Sequence, residues 1–469
     1  LKTALQVRHI AADKAGIELL KYLTKIGGEA GMSVVDDKSI FITMKQDGPF
    51  SVQDSLSFDH PFSQQTRAWA KRFCYDHLSL TRYRAVRGQI FDLLQIESFA
   101  EIPALIGDPA LRAQRTRRAY ELLGNLFGIT GEFSEVRSKI HEYAVTADAV
   151  IGYLKSKVLA AYSSHIEISN EIETTQNPID LLLITFDDRY HKKIRFEAKR
   201  KLVLMGLAGS IDQRERETDI ENKFAAFLNF LNQYVWSSKL KIGELEIAYL
   251  FSQHDPKDFS CTQVDVLDAQ AAKSLHSLSG CKKLTLIKRR LFHDVGREIP
   301  VYVSVRKKDS AAKVLKLLRK NEKNPAVAVD DELGLMAVLD SLADVKRFMR
   351  HLTRAAVKAD SIMILEDISD TLTGGDYQSP AVGSSHKTQM LKFFARLGGM
   401  RVEFIIHTNQ SYLNYRYQRD IAHDEYEVRR LFDSGVTDFL FPRDIYYLDM
   451  VQTRQSQLIN FRKTIEQGA

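Results

Sequence analysis

Arg306, Lys308, Ser310 and Lys313 crowd the point where a β-branched run becomes a basic helix, in "YVSVRKKDSAAKVLKLLRK" (302–320). At that spacing the cations and the hydroxyl can gather round phosphate oxygens, lysine as a point charge and arginine as a planar fork. Downstream, Asp331 and Glu403 lie in apolar stretches that read as strands. Across neighbouring strands, two such carboxylates would hold Mg²⁺. Tyr377, in "GGDYQS", offers an aromatic face to a base. Metal, cations and a stacking ring are what phosphoryl or pyrophosphoryl transfer asks of a protein, which mainly positions its substrates and neutralises charge. Lys307, Lys316 and Lys320 read as solvated helix residues.

A second constellation lies in "NPIDLLLITFDDRYHKKIRFEAKRKL". Read as a hairpin turned at "DDRYHK", it places Glu197 and Lys199 on one sheet face by period-two alternation and brings Asp180 beside them. Two converging carboxylates and an ammonium can hold a metal ion and activate water against a phosphodiester.

These residues need elements to hold them. A chain of 469 residues predicts two or three domains. From about 62 to 162, apolar residues recur at three and four spacing between Gly and Pro, predicting a mainly helical N-terminal region, 1–162. Near 165 the period changes to two: "HIEISNEIE", "IDLLLITF" and "KKIRFEAKRKLVLMG" read as strands, followed by the helix "DIENKFAAFLNFLNQYVWSS" and the strand "ELEIAYLFSQ". That predicts a central α/β domain over 163–284. A third unit, 285–469, opens with the strands "KLTLIKRRLF" and "IPVYVSVRK" and includes a hairpin turned at "LGGM" with Glu403 in its second strand.

Composition bounds the rest. Apolar residues at 44% and charged residues at 27% are ordinary for globular proteins. No apolar run approaches the roughly 18 residues of a membrane span, and the N-terminal stretch lacks the apolar centre of a signal peptide, so no membrane is expected. The chain starts without Met, as expected of a trimmed start. Cys74, Cys261 and Cys281 are far apart and outside CxxC spacing, which argues against a disulfide framework or thiolate zinc and favours a reducing cytoplasm. A net charge of +6 favours nucleotides, RNA or DNA as partners. An oligomer is compatible with all of this.

The C-terminal pieces together resemble the synthetase domain of the RelA/SpoT alarmone synthetases. "RKKDSAAK" is similar to the family's Arg-x-Lys, Ser, Lys opening, so Arg306, Lys308, Ser310 and Lys313 are implied to hold ATP phosphates. "DELGLM" (331–336) resembles its Asp-x-x-Gly-x-Arg strand, and "VEFIIHT" (402–408) its Val-Glu-Ile-Gln-Ile-Arg-Thr strand, implying Asp331 and Glu403 as the metal pair. "DYQS" looks like the loop whose tyrosine, here Tyr377, stacks on the acceptor guanine; "SSH" ends at His386, a displaced partner of the histidine that follows. "IAHDEYE" is similar to a helix carrying a histidine, here His423. Met336, Ile405 and His407 stand where the family has arginine, glutamine and arginine. The resemblance implies a nucleotidyltransferase-like mixed sheet with helices and Mg²⁺-dependent pyrophosphoryl transfer from ATP to the 3′-hydroxyl of a guanine nucleotide or RNA, in stress response or phage defence.

The central region resembles PD-(D/E)XK nucleases, with "PID" (178–180) and "EAK" (197–199) as the two motif parts, one residue longer than the family's "PD" in the first. That likeness implies a restriction-endonuclease-like domain with Asp180 and Glu197 on metal, Lys199 beside them and Glu171 as an added carboxylate. The alternatives to pyrophosphoryl transfer are therefore a metal-dependent nuclease with a nucleotide-sensing C-terminal domain, and a degenerate chain that binds nucleic acid or a partner.

Overall fold

The computed structural model describes residues 68, 71–73, 75–240, 243–275, 280–322, 324–330, 332–376 and 387–467. Asp331, Tyr377, His386 and Cys74 lie outside the described residues. Within them the protein is mixed α/β, with seventeen α-helices and one eight-stranded sheet. The described helices from His77 to Phe230 precede the first strand. No described helix is long and apolar enough to cross a membrane.

The chain divides into two compact units, and each gathers separate segments. The first takes residues up to Arg214, Ser310–Pro325 and Gly435–Met450; the second takes Glu215–Asp309, Ala326–Ser434 and the C-terminal segment from Val451. These divisions differ from the three contiguous segments expected from sequence.

The first unit is helical. Its helices start where sequence chemistry dictates: Asp108 accepts from the Ala110 and Leu111 amides before Pro109–Leu126, and Asn177 accepts from the Ile179 amide before Pro178–Phe186. Proline at the first turn lacks only an amide that would have no helical partner. Leu94, Ile96, Phe99, Ile102, Ile179 and Leu183 form one core there. The helix Ser310–Lys320 packs on Phe133–Tyr153.

The expected hairpin over 179–205 is corrected by this unit. "PIDLLLITF" is the helix Pro178–Phe186, and "EAK" lies within the long helix Lys192–Thr218. "HIEISNEIE" forms no strand; its end is the short helix Asn170–Thr174. The physical reason is the spacing of buried positions: Glu197, Ala198, Lys201, Leu204, Met205, Ala208 and Ile211 recur every three or four residues, the helical period.

The second unit is built on the sheet. Its strands are β1 (Glu246–His254), β2 (Cys261–Leu267), β3 (Lys282–Asp294), β4 (Arg297–Lys307), β5 (Leu333–Leu339), β6 (Ile364–Asp370), β7 (Leu391–Leu397) and β8 (Met400–Thr408). They lie in the order β2-β1-β3-β4-β5-β8-β7-β6. Every neighbouring pair is antiparallel except β5 and β8. The strands expected at "ELEIAYLFSQ", "KLTLIKRRLF" and "IPVYVSVRK" are present, as is the hairpin at "LGGM". Gly398 and Gly399 both hold positive φ, 53° and 77°, which a two-residue hairpin turn of matching twist requires.

One sheet face is dry. Helices Ile220–Phe230 and Leu342–Lys358 cover it, and Phe227, Phe348, Phe393 and Phe404 meet in its core. The helix Asn409–Tyr417, capped by the Thr408 side chain on the Ser411 amide, covers part of the opposite face through Tyr412 and Leu413 against Ala248, Leu250, Ile287 and Val338. Alternation sets Glu403 and His407 on this second face, because Phe404 and Ile406 fill the first.

Candidate functional site on the sheet face

Register brings the site together. Arg306 of β4 pairs with Gly334 of β5, which pairs with Glu403 of β8, so the three stand in one row across the sheet. Two interstrand spacings, roughly 10 Å, separate Arg306 from Glu403. The arginine spans them by lying over the glycine: a Cβ at Gly334 would sit 3.0 Å from Arg306 Nε and 3.4 Å from its Cγ. Its Nη2 then donates to Glu403 Oε2 at 2.8 Å.

The other carboxylate oxygen is also taken. Lys392 of β7 brings Nζ to 3.1 Å from Glu403 Oε1. The side chains of Lys392 and Glu403 are 4% and 7% exposed, whereas that of Arg306 is 45% exposed. A buried carboxylate thus anchors one buried and one half-open cation, and the group carries one net positive charge. Outward along the same face, the Arg401 guanidinium lies 3.7 Å over the Phe394 ring and pairs with Glu366 at 3.0 Å and Asp367 at 3.2 Å.

Aromatic groups line the opposite flank. The Tyr415 ring lies 5.2 Å from the His407 imidazole and 5.0 Å from that of His423. Burial pushes the Tyr415 hydroxyl upward in pKa, opposed by the charge of Arg306. Burial also lowers His423, with Glu427 and Asp424 opposing and Arg306 adding to the effect. His407 is fully buried and held down to about 4, while its Nδ1 lies 3.1 Å from the Gln389 carbonyl. It is therefore neutral at pH 7 and supplies no cation. His407 Nε2 and His423 Nδ1 are buried without a hydrogen-bond partner among the described residues.

Of the residues expected from sequence, Arg306 and Glu403 meet directly, and Arg306 and His423 lie within reach of each other's charge. Lys308 follows β4, its amide donating to the Glu332 carbonyl at 3.3 Å. Lys307 pairs with Glu221 and lies 3.9 Å from Glu332, so it is not simply solvated. Ser310 and Lys313 belong to the helical unit, where Lys313 is 1% exposed.

Sequence reasoning missed Lys392. The signal was present: with the turn at Gly398 and Gly399, counting back along β7 sets Phe394 opposite Glu403 and Lys392 on the same face one step further.

Both Glu403 oxygens face cations, and no three His, Cys, Asp or Glu side chains among the described residues converge on a point.

The central constellation is dispersed. Glu197 and Lys199, two positions apart, project about 200° apart round their helix. Glu197 is fully buried, accepting from the Ser169 amide at 2.9 Å and the Tyr446 hydroxyl at 3.0 Å. Arg200 donates to the Leu440 carbonyl and to Tyr446, and Lys201 to Asp148. Asp180 instead accepts from Asn177 and lies 3.6 Å from Arg112; Glu171 is exposed. Lys199 keeps some exposure as a residue, and burial of its ammonium, with Arg195, lowers it to about 8. "EAKRK" is a set of internal ties in the helical unit. Compared with known proteins, the chain matches no family model and no curated protein.

Proposed function

We propose that the sheet unit is nucleotidyltransferase-like, binds nucleotide phosphates over Arg306, Lys392 and Glu403, and transfers pyrophosphate from ATP to the 3′-hydroxyl of a guanine nucleotide or RNA. The observation that carries this reading is the row Arg306, Gly334 and Glu403 with Lys392 behind it. Glu403 uses one edge of the Arg306 guanidinium, and its remaining N–H groups are held in a fixed direction on a half-open face. A fork fixed before the ligand arrives loses little entropy on binding an anion and needs no rearrangement as charge builds up in the transition state.

In the reaction the acceptor 3′-hydroxyl oxygen bonds to the β-phosphorus of ATP and gives up its proton to water, the bond from that phosphorus to the α-phosphate oxygen breaks, and AMP leaves with the electron pair. Negative charge that spreads over the transferred oxygens falls to the half-open Arg306 guanidinium, while the buried Lys392 holds Glu403 beneath it. Magnesium enters as the counter-ion that the triphosphate carries. The nuclease reading has no comparable geometry, because Asp180 and Glu197 sit on different helices with separate partners and Lys199 projects away from Glu197.

The test is incubation of the purified protein with ATP, Mg²⁺ and, in turn, GDP, GTP and tRNA, with products separated by chromatography. A 3′-pyrophosphorylated product that disappears in Asp331→Ala, Glu403→Ala and Arg306→Ala is expected. No product with any acceptor, or product unchanged in these variants, overturns the proposal.

A further inference from the structure

On the dry face of the sheet unit, a groove of about 480 Å³ runs between the helix Leu342–Lys358 and the ends of β6 and β7. That volume falls in the range of small-molecule sites, roughly 300–1,000 Å³. Leu342, Val345, Met349, Leu372 and Leu391 give it an aliphatic lining. Its charged lining residues are Lys346, Arg350 and Asp370, with Thr373 beside them.

The pairing of the cations along this helix is selective. Arg347 pairs with Asp344 at 2.8 Å and Arg354 with Asp294 at 3.5 Å. Lys346 and Arg350, the two that line the groove, have no acidic partner among the described residues. They stand one helical turn apart, so their like charges repel at a cost of a few tenths of a kcal/mol. Asp370 is turned to its own loop rather than paired with either cation: it accepts from the Leu372 and Thr373 amides and the Thr373 hydroxyl, and leaves the lining one net positive charge.

We infer that this groove binds a small aliphatic anion, its chain on Leu342, Val345, Met349, Leu372 and Leu391 and its phosphate or carboxylate between Lys346 and Arg350. Among the described residues no aromatic, amide or imidazole side chain lines the groove, and its aliphatic lining favours an alkyl chain over a nucleotide. The site lies on the sheet face opposite Glu403 and is independent of the reaction proposed there.

Octyl phosphate, used below its micelle concentration, is the probe, with the full chain titrated by calorimetry. Saturable binding is expected, with octanoate binding in competition and inorganic phosphate, octylammonium and GMP failing to compete. Lys346→Glu with Arg350→Glu should weaken binding by about tenfold or more, and Met349→Glu should abolish it by charging the floor. Both cations are exposed, so an unchanged melting curve of the double variant verifies its fold. Absence of octyl phosphate binding, equal affinity in the double variant, or competition by inorganic phosphate or GMP overturns the inference.

Discussion

Glu403 is the residue on which two cations depend, and the dependence is asymmetric. Lys392 is buried against it, so Glu403→Gln removes the carboxylate charge 3.1 Å from a buried ammonium. Removing one partner of a buried pair costs about 3–5 kcal/mol, whereas replacing both by apolar groups of similar size is often neutral. Urea unfolding should therefore show Glu403→Gln far less stable than the parent and Lys392→Met with Glu403→Leu much closer to it. Equal losses in the two would mean that the pair is not the anchor described. His407, on the same strand, makes a prediction in pH. Its folded value of about 4 lies below the ordinary 6.5, so between these values the unfolded chain binds a proton that the folded chain refuses. Stability contributed by neutral His407 is complete above about pH 6.5 and is lost as pH falls, on the order of 3 kcal/mol by pH 4. Unfolding free energies measured from pH 7 to 4.5 should fall more steeply in the parent than in His407→Gln; parallel curves would show that the imidazole does not titrate in this window.

At the scale of elements, two glycines in the long helix Lys192–Thr218 separate intrinsic propensity from packing. A Cβ at Gly206 meets nothing within 4 Å, while one at Gly209 would lie 2.6 Å from the Phe127 ring. Gly206→Ala should stabilise the helical unit by about 0.5–1 kcal/mol through backbone entropy. Gly209→Ala should instead destabilise it by about 1–3 kcal/mol, because the ring is held by the Tyr143 ring 5.4 Å away and overpacking outweighs propensity. Chemical denaturation of the two single variants checks both signs, and stabilisation by Gly209→Ala would refute the contact. This same helix is where sequence reading failed. "KKIRFEAKRKLVLMG" is charged on its inward side, since Glu197, Arg200 and Lys201 are buried and satisfied by Ser169, Tyr446, Leu440 and Asp148, partners distant in sequence. A pattern search that expects polar residues outside cannot find the inward face of such a helix. The β7–β8 hairpin was legible because its determinants are local: two glycines for the turn and alternation on either side. Arg306 opposite Glu403 was only half legible, because their meeting depends on β5 lying between them and on Gly334 lacking a side chain.

At the scale of the molecule, the chain path governs what can fold alone. The sheet unit draws Glu215–Asp309, Ala326–Ser434 and the segment from Val451, so no single cut isolates it. A fragment of 285–469, the third segment expected from sequence, would keep Arg306, Lys392 and Glu403. It would lose β1, β2 and the start of β3, and with the helix Ile220–Phe230 and the turn after it the core side chains Phe227, Phe230, Leu231 and Val235. Burying each large apolar side chain contributes about 1.5–3 kcal/mol, so losing four removes as much as a typical domain's whole net stability. The helix Ser310–Lys320 would also be present without Phe133–Tyr153, on which it packs. The fragment is expected to show no cooperative thermal transition by circular dichroism and no ATP binding, while the full chain shows both. A sharp transition with ATP binding in the fragment would mean that the row of Arg306, Gly334 and Glu403 is maintained by β4 to β8 and the remainder of β3, without the strands and helix supplied by residues before 285.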